Sequence, residues 1–154
     1  MTDVLLALLD EAYDHRSWHG TNLRGALRGL TPATAAWRPG PARHNIWELV
    51  VHAAYWKYAV RRRLSGEPRG SFALAGSNFW ARPIEGTARE WRADLRLLAD
   101  EHRQLRAVIA AFPPARWPRR AAGSPFTYAA LARGAAAHDL YHAGQIQLLK
   151  RLAR

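Results

Sequence analysis

The stretch "AAAHDLYHAGQIQLL", residues 135–149, has the apolar period of a buried helix and carries two histidines four positions apart. Ala135, His138, His142 and Gln145 follow one another at steps of three or four, so a helix would place them on one face. Leu131, Ala135 and Leu149 lie on the same face, which predicts that it points inward. Two imidazoles one helical turn apart can reach a common point in front of the helix, where a metal ion can bind.

A second segment, "NIWELVVHAAYWKYAVRRRL" at residues 45–64, supplies a third histidine. Asn45 followed three positions later by Glu48 predicts a helix that begins with a capping box. His52 lies on the apolar stripe of this helix and is therefore expected to face the same core. Three neutral imidazole nitrogens suit Zn²⁺, Ni²⁺ or a similar ion and leave coordination positions open for water or substrate.

The alternative interpretation is that these histidines are ordinary core residues, each hydrogen-bonded to a neighbour. A single inward histidine is readily explained in this way. Three on convergent faces would require many polar nitrogens to be desolvated, and a shared metal ion explains them better.

The pattern along the rest of the chain predicts helices and no sheet. A proline- and glycine-rich connection at residues 65–86 is long enough to cross a helix bundle. We expect one all-α domain over residues 1–154, a four-helix bundle. Its helices are predicted from Thr2, as N-cap, to about Arg28; over residues 45–64; from Thr87, in a capping box with Glu90, to about Phe112; and from Thr127 to Leu152.

The composition limits the class of protein. The 154 residues include no cysteine, which excludes a disulfide framework, a thiolate metal site and a cysteine nucleophile. No run approaches the roughly 20 apolar residues of a membrane span, and the N-terminus lacks the features of a signal peptide. We therefore expect a cytoplasmic protein with no membrane partner.

The formal net charge of +11 raises the question of nucleic acid. The basic residues are mostly arginine and are spread from Arg16 to Arg154. Since a phosphate-binding face should concentrate its basic side chains, we expect a charged surface and no nucleic-acid partner.

The two histidine segments together support a family resemblance. "HNIWELVVHAAYWKYAVRRRLSG" at residues 44–66, with "AAAHDLYHAGQIQLLKRL" at residues 135–152, resembles the DinB superfamily, which includes metal-dependent hydrolases and bacillithiol- and mycothiol-dependent transferases. The resemblance implies a bundle in up-down-down-up order and a metal, usually nickel or zinc, held by one histidine of the second helix and two of the last. His52, His138 and His142 match those positions.

Further residues are candidates for the pocket or for orienting a ligand, with simple packing or capping as the alternative. Gln145 and Glu48 each lie one turn from a candidate ligand, Tyr141 adjoins His142, and Trp56 is a candidate pocket wall.

The remaining histidines have no assigned ligand role. His102 lies on the apolar stripe of the third helix, where it either lines the pocket or is a core residue. His15 and His19 form another pair four positions apart, of which we expect at least one to face inward. His44 is expected to be a simple loop residue.

These features favour an enzyme in which the metal activates water for hydrolysis or an exogenous low-molecular-weight thiol for transfer to a small-molecule substrate. The resemblance also implies a homodimer, as in many family members. The alternative is a non-catalytic, stress-associated bundle that binds a small ligand or a partner, with the metal structural or absent.

Overall fold

The computed structural model describes residues 1–153, which form six α-helices and no strand. The prediction of an all-α fold is confirmed. The helices are α1 (Thr2–Tyr13), α2 (Leu23–Ala26), α3 (Pro32–Ala36), α4 (Ile46–Ser65), α5 (Ala88–Ala111) and α6 (Tyr128–Leu152). No helix in this part of the chain combines the length and apolarity needed to cross a membrane.

The four longer helices surround a common core. Helix α4 packs against α5 and α6, and α1 packs against the same two helices. Trp47 near the start of α4 donates a hydrogen bond to Asp94 of α5. Further along both helices, Lys57 Nζ lies 3.3 Å from His102 Nδ1, so α4 and α5 are parallel.

Helix α6 is antiparallel to α4. His52 approaches His142 near one end of the contact, whereas Lys57, further along α4, pairs with Asp139, which precedes His142. Helix α1 is likewise antiparallel to α5. Asp10 pairs with Arg106, whereas Tyr13, further along α1, stacks on His102, which precedes Arg106. These directions are consistent with the expected up-down-down-up order.

The first predicted helix is wrong in extent. Helix α1 ends at Tyr13, and α2 begins only at Leu23. Between them Gly20 has a φ of 99°, in the left-handed region that favours glycine, and Asn22 caps α2 by accepting the N–H of Gly25 at 2.8 Å. Residues 14–22 are polar or glycine apart from the fully exposed Trp18, so this stretch offers no apolar face that a continuous helix could bury.

Two predicted caps also differ. Thr2 is not an N-cap: it is the first helical residue, and its hydroxyl accepts a hydrogen bond from Trp117 Nε1 at 2.9 Å. Thr87 caps α5 as predicted, but the Glu90 carboxylate does not complete the box. It accepts instead the backbone N–H groups of residues 84–86, which ties the end of the long connection to α5.

The capping box of α4 is formed as predicted and is part of a larger anchor. The side chain of Asn45 accepts the Glu48 N–H at 2.8 Å, and its amide donates to the carbonyl of Arg82 at 2.7 Å. Glu48 is buried and accepts hydrogen bonds from Arg38 and His44, both at 2.9 Å. The start of α4 is thereby fixed to the segments before and after it.

A buried ion pair fixes the axial register of α4 against α6. Lys57 is 1% exposed and Asp139 is 0% exposed, and the ammonium group of Lys57 donates to the Asp139 carboxylate. Each charge therefore depends on the other for its solvation. Lys57 lies about one and a half turns after His52 on α4, and Asp139 lies between His138 and His142 on α6.

We expect Lys57→Met to lower the free energy of unfolding by about 3–5 kcal/mol, because it leaves the Asp139 carboxylate buried without its counter-charge. The double variant Lys57→Met/Asp139→Leu removes both charges and should lie within about 2 kcal/mol of wild type. Urea unfolding followed by circular dichroism measures both. A double variant as unstable as the single one would contradict this account of the pair.

A second prediction concerns acid stability. Burial acts to raise the pKa of Glu48, but the hydrogen bonds from Arg38 and His44 outweigh it and hold that pKa below its usual value. As pH falls through about 4.3, the unfolded chain takes up this proton before the folded protein does, so the stability contributed by Glu48 is lost. Glu48→Gln should cost about 1–3 kcal/mol at neutral pH and progressively less below about pH 4.

Glu11→Gln is the matched control, since Glu11 is exposed on α1. Its difference in unfolding free energy from wild type should be small at every pH. An unfolding difference for Glu48→Gln that stays constant from pH 7 to pH 3 would show that the Glu48 carboxylate is not held in its charged form.

Candidate metal centre

The structure brings together the three histidines that the sequence singled out. His52 projects from α4, and His138 and His142 project from α6, with their ligand atoms all within 4.8 Å of one another. The Nε2 atom of His138 lies 3.2 Å from that of His52 and 3.0 Å from that of His142. Three nitrogens therefore face one small volume between the helices.

This spacing fits a single ion. At metal–nitrogen distances of 2.0–2.1 Å, two nitrogens on one ion stand roughly 2.9–3.4 Å apart for bond angles between about 90° and the tetrahedral value. The two nitrogen–nitrogen distances that involve His138 fall in that range, and all three ligand atoms lie within 4.8 Å of one another. The donor set, three imidazoles with no carboxylate or thiolate among them, suits zinc or nickel.

The tautomer of His52 is set by the long connection between α4 and α5. Its Nδ1–H donates to the backbone carbonyl of Asn78 at 2.8 Å, so the lone pair of a neutral ring lies on Nε2, toward the other histidines. Asn78 has a φ of 68°, a left-handed conformation that asparagine adopts more readily than most residues.

The tautomer of His142 is set within α6. Its Nδ1–H donates to Gln145 Oε1 at 2.6 Å, which again leaves the Nε2 lone pair toward the shared volume. Gln145 thus contacts the His142 ring directly, and its role in orienting that ligand stays a prediction.

Burial keeps all three rings neutral. It lowers the pKa of His52 to about 4 and that of His138 to about 3, and it lowers the pKa of His142 as well. Mutual repulsion of the imidazolium forms adds to the effect at His52 and His138. Since only a neutral imidazole binds a metal, the site needs no deprotonation at neutral pH.

An aromatic stack ties the loop to the site. The ring of Phe79 lies against His52, with a centroid distance of 3.9 Å, and against His44, with a centroid distance of 3.8 Å. His44 is therefore more than the simple loop residue predicted for it, because it also donates to Glu48. Glu48 accepts from this imidazole and not from His52.

Two cavities meet at His138. One, of about 530 Å³, is lined by all three histidines together with Tyr141, Gln145 and Phe79. The other, of about 440 Å³, is lined by His138, Trp56, Val60 and Leu131, with Arg63 among its lining residues. Tyr141 is 64% exposed and meets the edge of the His142 ring, and Trp56 donates to the Asn78 side chain at 3.1 Å.

His15, His19 and His102 lie apart from this site. His102 is buried, as expected, but lines a different cavity. The expectation that His15 or His19 faces inward is wrong: both are exposed, because the chain leaves the helix after Tyr13.

Sequence reasoning missed Asn78 and Phe79. They lie in the connection at residues 65–86, which has no helical period from which an inward face could be read. An asparagine followed by two aromatic residues was the available signal, but it does not specify a partner.

Comparison with known protein families gives a match that spans the candidate metal centre. A family model described as the DinB superfamily matches residues 13–146, a range that includes the three histidines, Asn78 and Phe79. Comparison with curated proteins and with solved structures gave no significant match. The family match covers most of the 154 residues, and the chain belongs to the DinB superfamily.

Proposed function

We propose that this protein is a metal-dependent enzyme whose divalent ion, zinc or nickel, is held by His52, His138 and His142. The observation that carries the proposal is the convergence of three Nε2 atoms, two of them on rings whose Nδ1–H is already donated to Asn78 or Gln145. When bound, a divalent ion supplies Lewis acidity that makes water or a thiol more acidic near neutral pH.

The composition bears on the source of the thiol in a transfer reaction. The sequence contains no cysteine, so the thiol of a transfer reaction must belong to a small molecule. The two cavities that meet at His138 can receive two small molecules, one on each side of this ring. That arrangement favours transfer of a low-molecular-weight thiol to an electrophile over hydrolysis, which requires only one organic substrate.

The side chains around the histidines have supporting roles. Asn78 and Gln145 hold the rings in the tautomer that binds metal. Phe79 and Trp56 form apolar walls that limit the access of bulk water. We further propose a cytoplasmic location, a small-molecule substrate, a homodimeric state, and neither a membrane nor a nucleic-acid partner.

Metal binding tests the ligand set. His52→Ala, His138→Ala and His142→Ala should each weaken Zn²⁺ or Ni²⁺ binding by more than about 100-fold, the upper end of what loss of an outer contact costs, because each removes a ligand. Calorimetric titration of untagged protein, with elemental analysis, measures the affinity and the stoichiometry of one ion per chain.

The double variant His15→Ala/His19→Ala is the matched control. It removes an exposed pair with the same spacing of four, and it should bind metal as wild type does. Wild-type protein that binds neither ion, or a control that loses as much affinity as the test variants, would contradict the proposed ligands.

The hydrogen bond from His142 to Gln145 gives a second prediction. Gln145→Ala should weaken metal binding by about 10–100-fold, and Gln145→Glu should restore it, because a carboxylate also accepts the Nδ1–H. Gln147→Ala, two positions away on α6 and without a contact to the site, should have no effect. Equal affinities of the two alanine variants would mean that Gln145 does not orient His142.

Turnover tests the choice between enzyme and non-catalytic bundle. With bacillithiol or mycothiol and 1-chloro-2,4-dinitrobenzene, the metal-loaded protein should form the thioether at least about tenfold faster than the metal-free protein or His138→Ala. Hydrolysis of p-nitrophenyl acetate without thiol tests the hydrolase alternative. Tight metal binding with neither activity across a panel of electrophiles and esters would favour the bundle in which the metal is structural.

A further inference from the structure

A cavity of about 1080 Å³ lies on the other side of the buried Lys57, away from the three candidate ligands. One wall is formed by α2 and the residues around it, the other by α5, and Tyr13 and His102 form the floor. None of His52, His138 and His142 lines it. It is about twice as large as either cavity at the metal centre.

Arginine dominates the charge of this cavity. Its lining includes five arginines and one carboxylate, that of Asp14. The arginines form two facing rows with helical spacing on α5 and around α2. They are Arg24 and Arg28 on one wall and Arg92, Arg96 and Arg103 on the other.

Three of these guanidinium groups have no ion pair among the described residues. Arg24 lies 3.3 Å from Asp14, and Arg103 lies 2.8 Å from Asp100. Within residues 1–153, no carboxylate pairs with the side chain of Arg28, Arg92 or Arg96. Like charges gathered around a concave surface create a positive potential that attracts anions.

The floor presents a hydrogen-bond donor. His102 is 6% exposed, and its Nδ1 lies 3.3 Å from the Lys57 ammonium, which can only donate. A neutral ring therefore carries its proton on Nε2, which has no partner in the described protein and is open to the cavity that His102 lines. Burial, with the nearby Lys57 charge, lowers the pKa of His102 to about 3 and keeps the ring neutral.

The wall that carries Arg24 and Arg28 is anchored. Lys150 of α6 donates to the carbonyls of Ala26 at 2.8 Å and Arg28 at 2.9 Å. Asn22 donates to the carbonyl of His15 at 2.8 Å, in addition to capping α2. The backbone that carries Arg24 and Arg28 is therefore held against the helix bundle, opposite α5.

We infer that this cavity binds a small polyanion, a molecule with two or more phosphate or carboxylate groups, through Arg28, Arg92, Arg96 and the Nε2–H of His102. Guanidinium groups on opposite walls can bind separate anionic groups, while the imidazole donates to one of them from below. The concave shape favours a small molecule over the exposed backbone of a nucleic acid. The inference is independent of the metal-dependent activity proposed for the other site.

Calorimetric titration of metal-free protein with pyrophosphate, and separately with citrate, tests the inference and separates phosphate from carboxylate ligands. We expect one anion per chain at physiological salt. Arg92→Gln/Arg96→Gln should weaken binding by at least about tenfold, since each arginine supplies a charge-assisted hydrogen bond. His102→Phe preserves a ring against Tyr13 and should also weaken binding, by about tenfold, provided that circular dichroism shows the wild-type helix content.

Arg89→Gln/Arg133→Gln is the matched control. It removes two charges from exposed positions outside the cavity and should change the affinity by less than about twofold. His142→Ala, which disables the candidate metal centre, should leave anion binding unchanged. Loss of anion binding in His142→Ala would place the anion at the metal centre and overturn the inference.

Two further outcomes would also overturn it. One is the absence of binding to both anions at millimolar concentration, and the other is equal weakening by the test and control arginine pairs. Duplex DNA that displaces pyrophosphate and binds more tightly, with a steep salt dependence removed by Arg92→Gln/Arg96→Gln, would identify the surface as a nucleic-acid face instead.

Discussion

The buried contact between Lys57 and Asp139 is the constraint on which both sites depend. This contact fixes the axial register of α4 against α6. In that register His52 lies opposite His138 and His142. The same ammonium group reaches His102 on α5 and thereby fixes the floor of the arginine-lined cavity. Burying two charges is costly. The pair nevertheless lies where sliding α4 by one turn along α6 would separate the three imidazoles.

Local signals predicted most of the helical framework and the histidine cluster. Asn45 and Thr127 begin α4 and α6 as expected, because a side-chain cap and the apolar period act within a few residues. Periodicity also placed His52, His138 and His142 on inward faces. The first helix was overextended because Leu23 and Ala26, which are buried on α2, continue the apolar period of α1, while Gly20 and Asn22 fix a turn between the two helices.

The contacts that refine the site could not be predicted in the same way. Asn78 and Phe79 reach His52 through the path of a 65–86 connection that has no regular repeat. Lys57 and Asp139 are charged residues at fully buried positions, and their pairing joins residues 82 positions apart. Such contacts depend on the tertiary arrangement and leave no periodic signal in either segment.

The stack of His44, Phe79 and His52 gives the connecting loop a role in the evolution of the site. The helices that carry the three imidazoles are constrained by the core, whereas Asn78 and Phe79, which contact His52, lie in a connection without regular secondary structure that is anchored at its end by Arg82 and Glu90. Insertions or deletions in such loops are tolerated far better than changes in packed helices. Changes of length or sequence in this loop can therefore reshape the surroundings of His52, while the helices and their imidazoles stay unchanged.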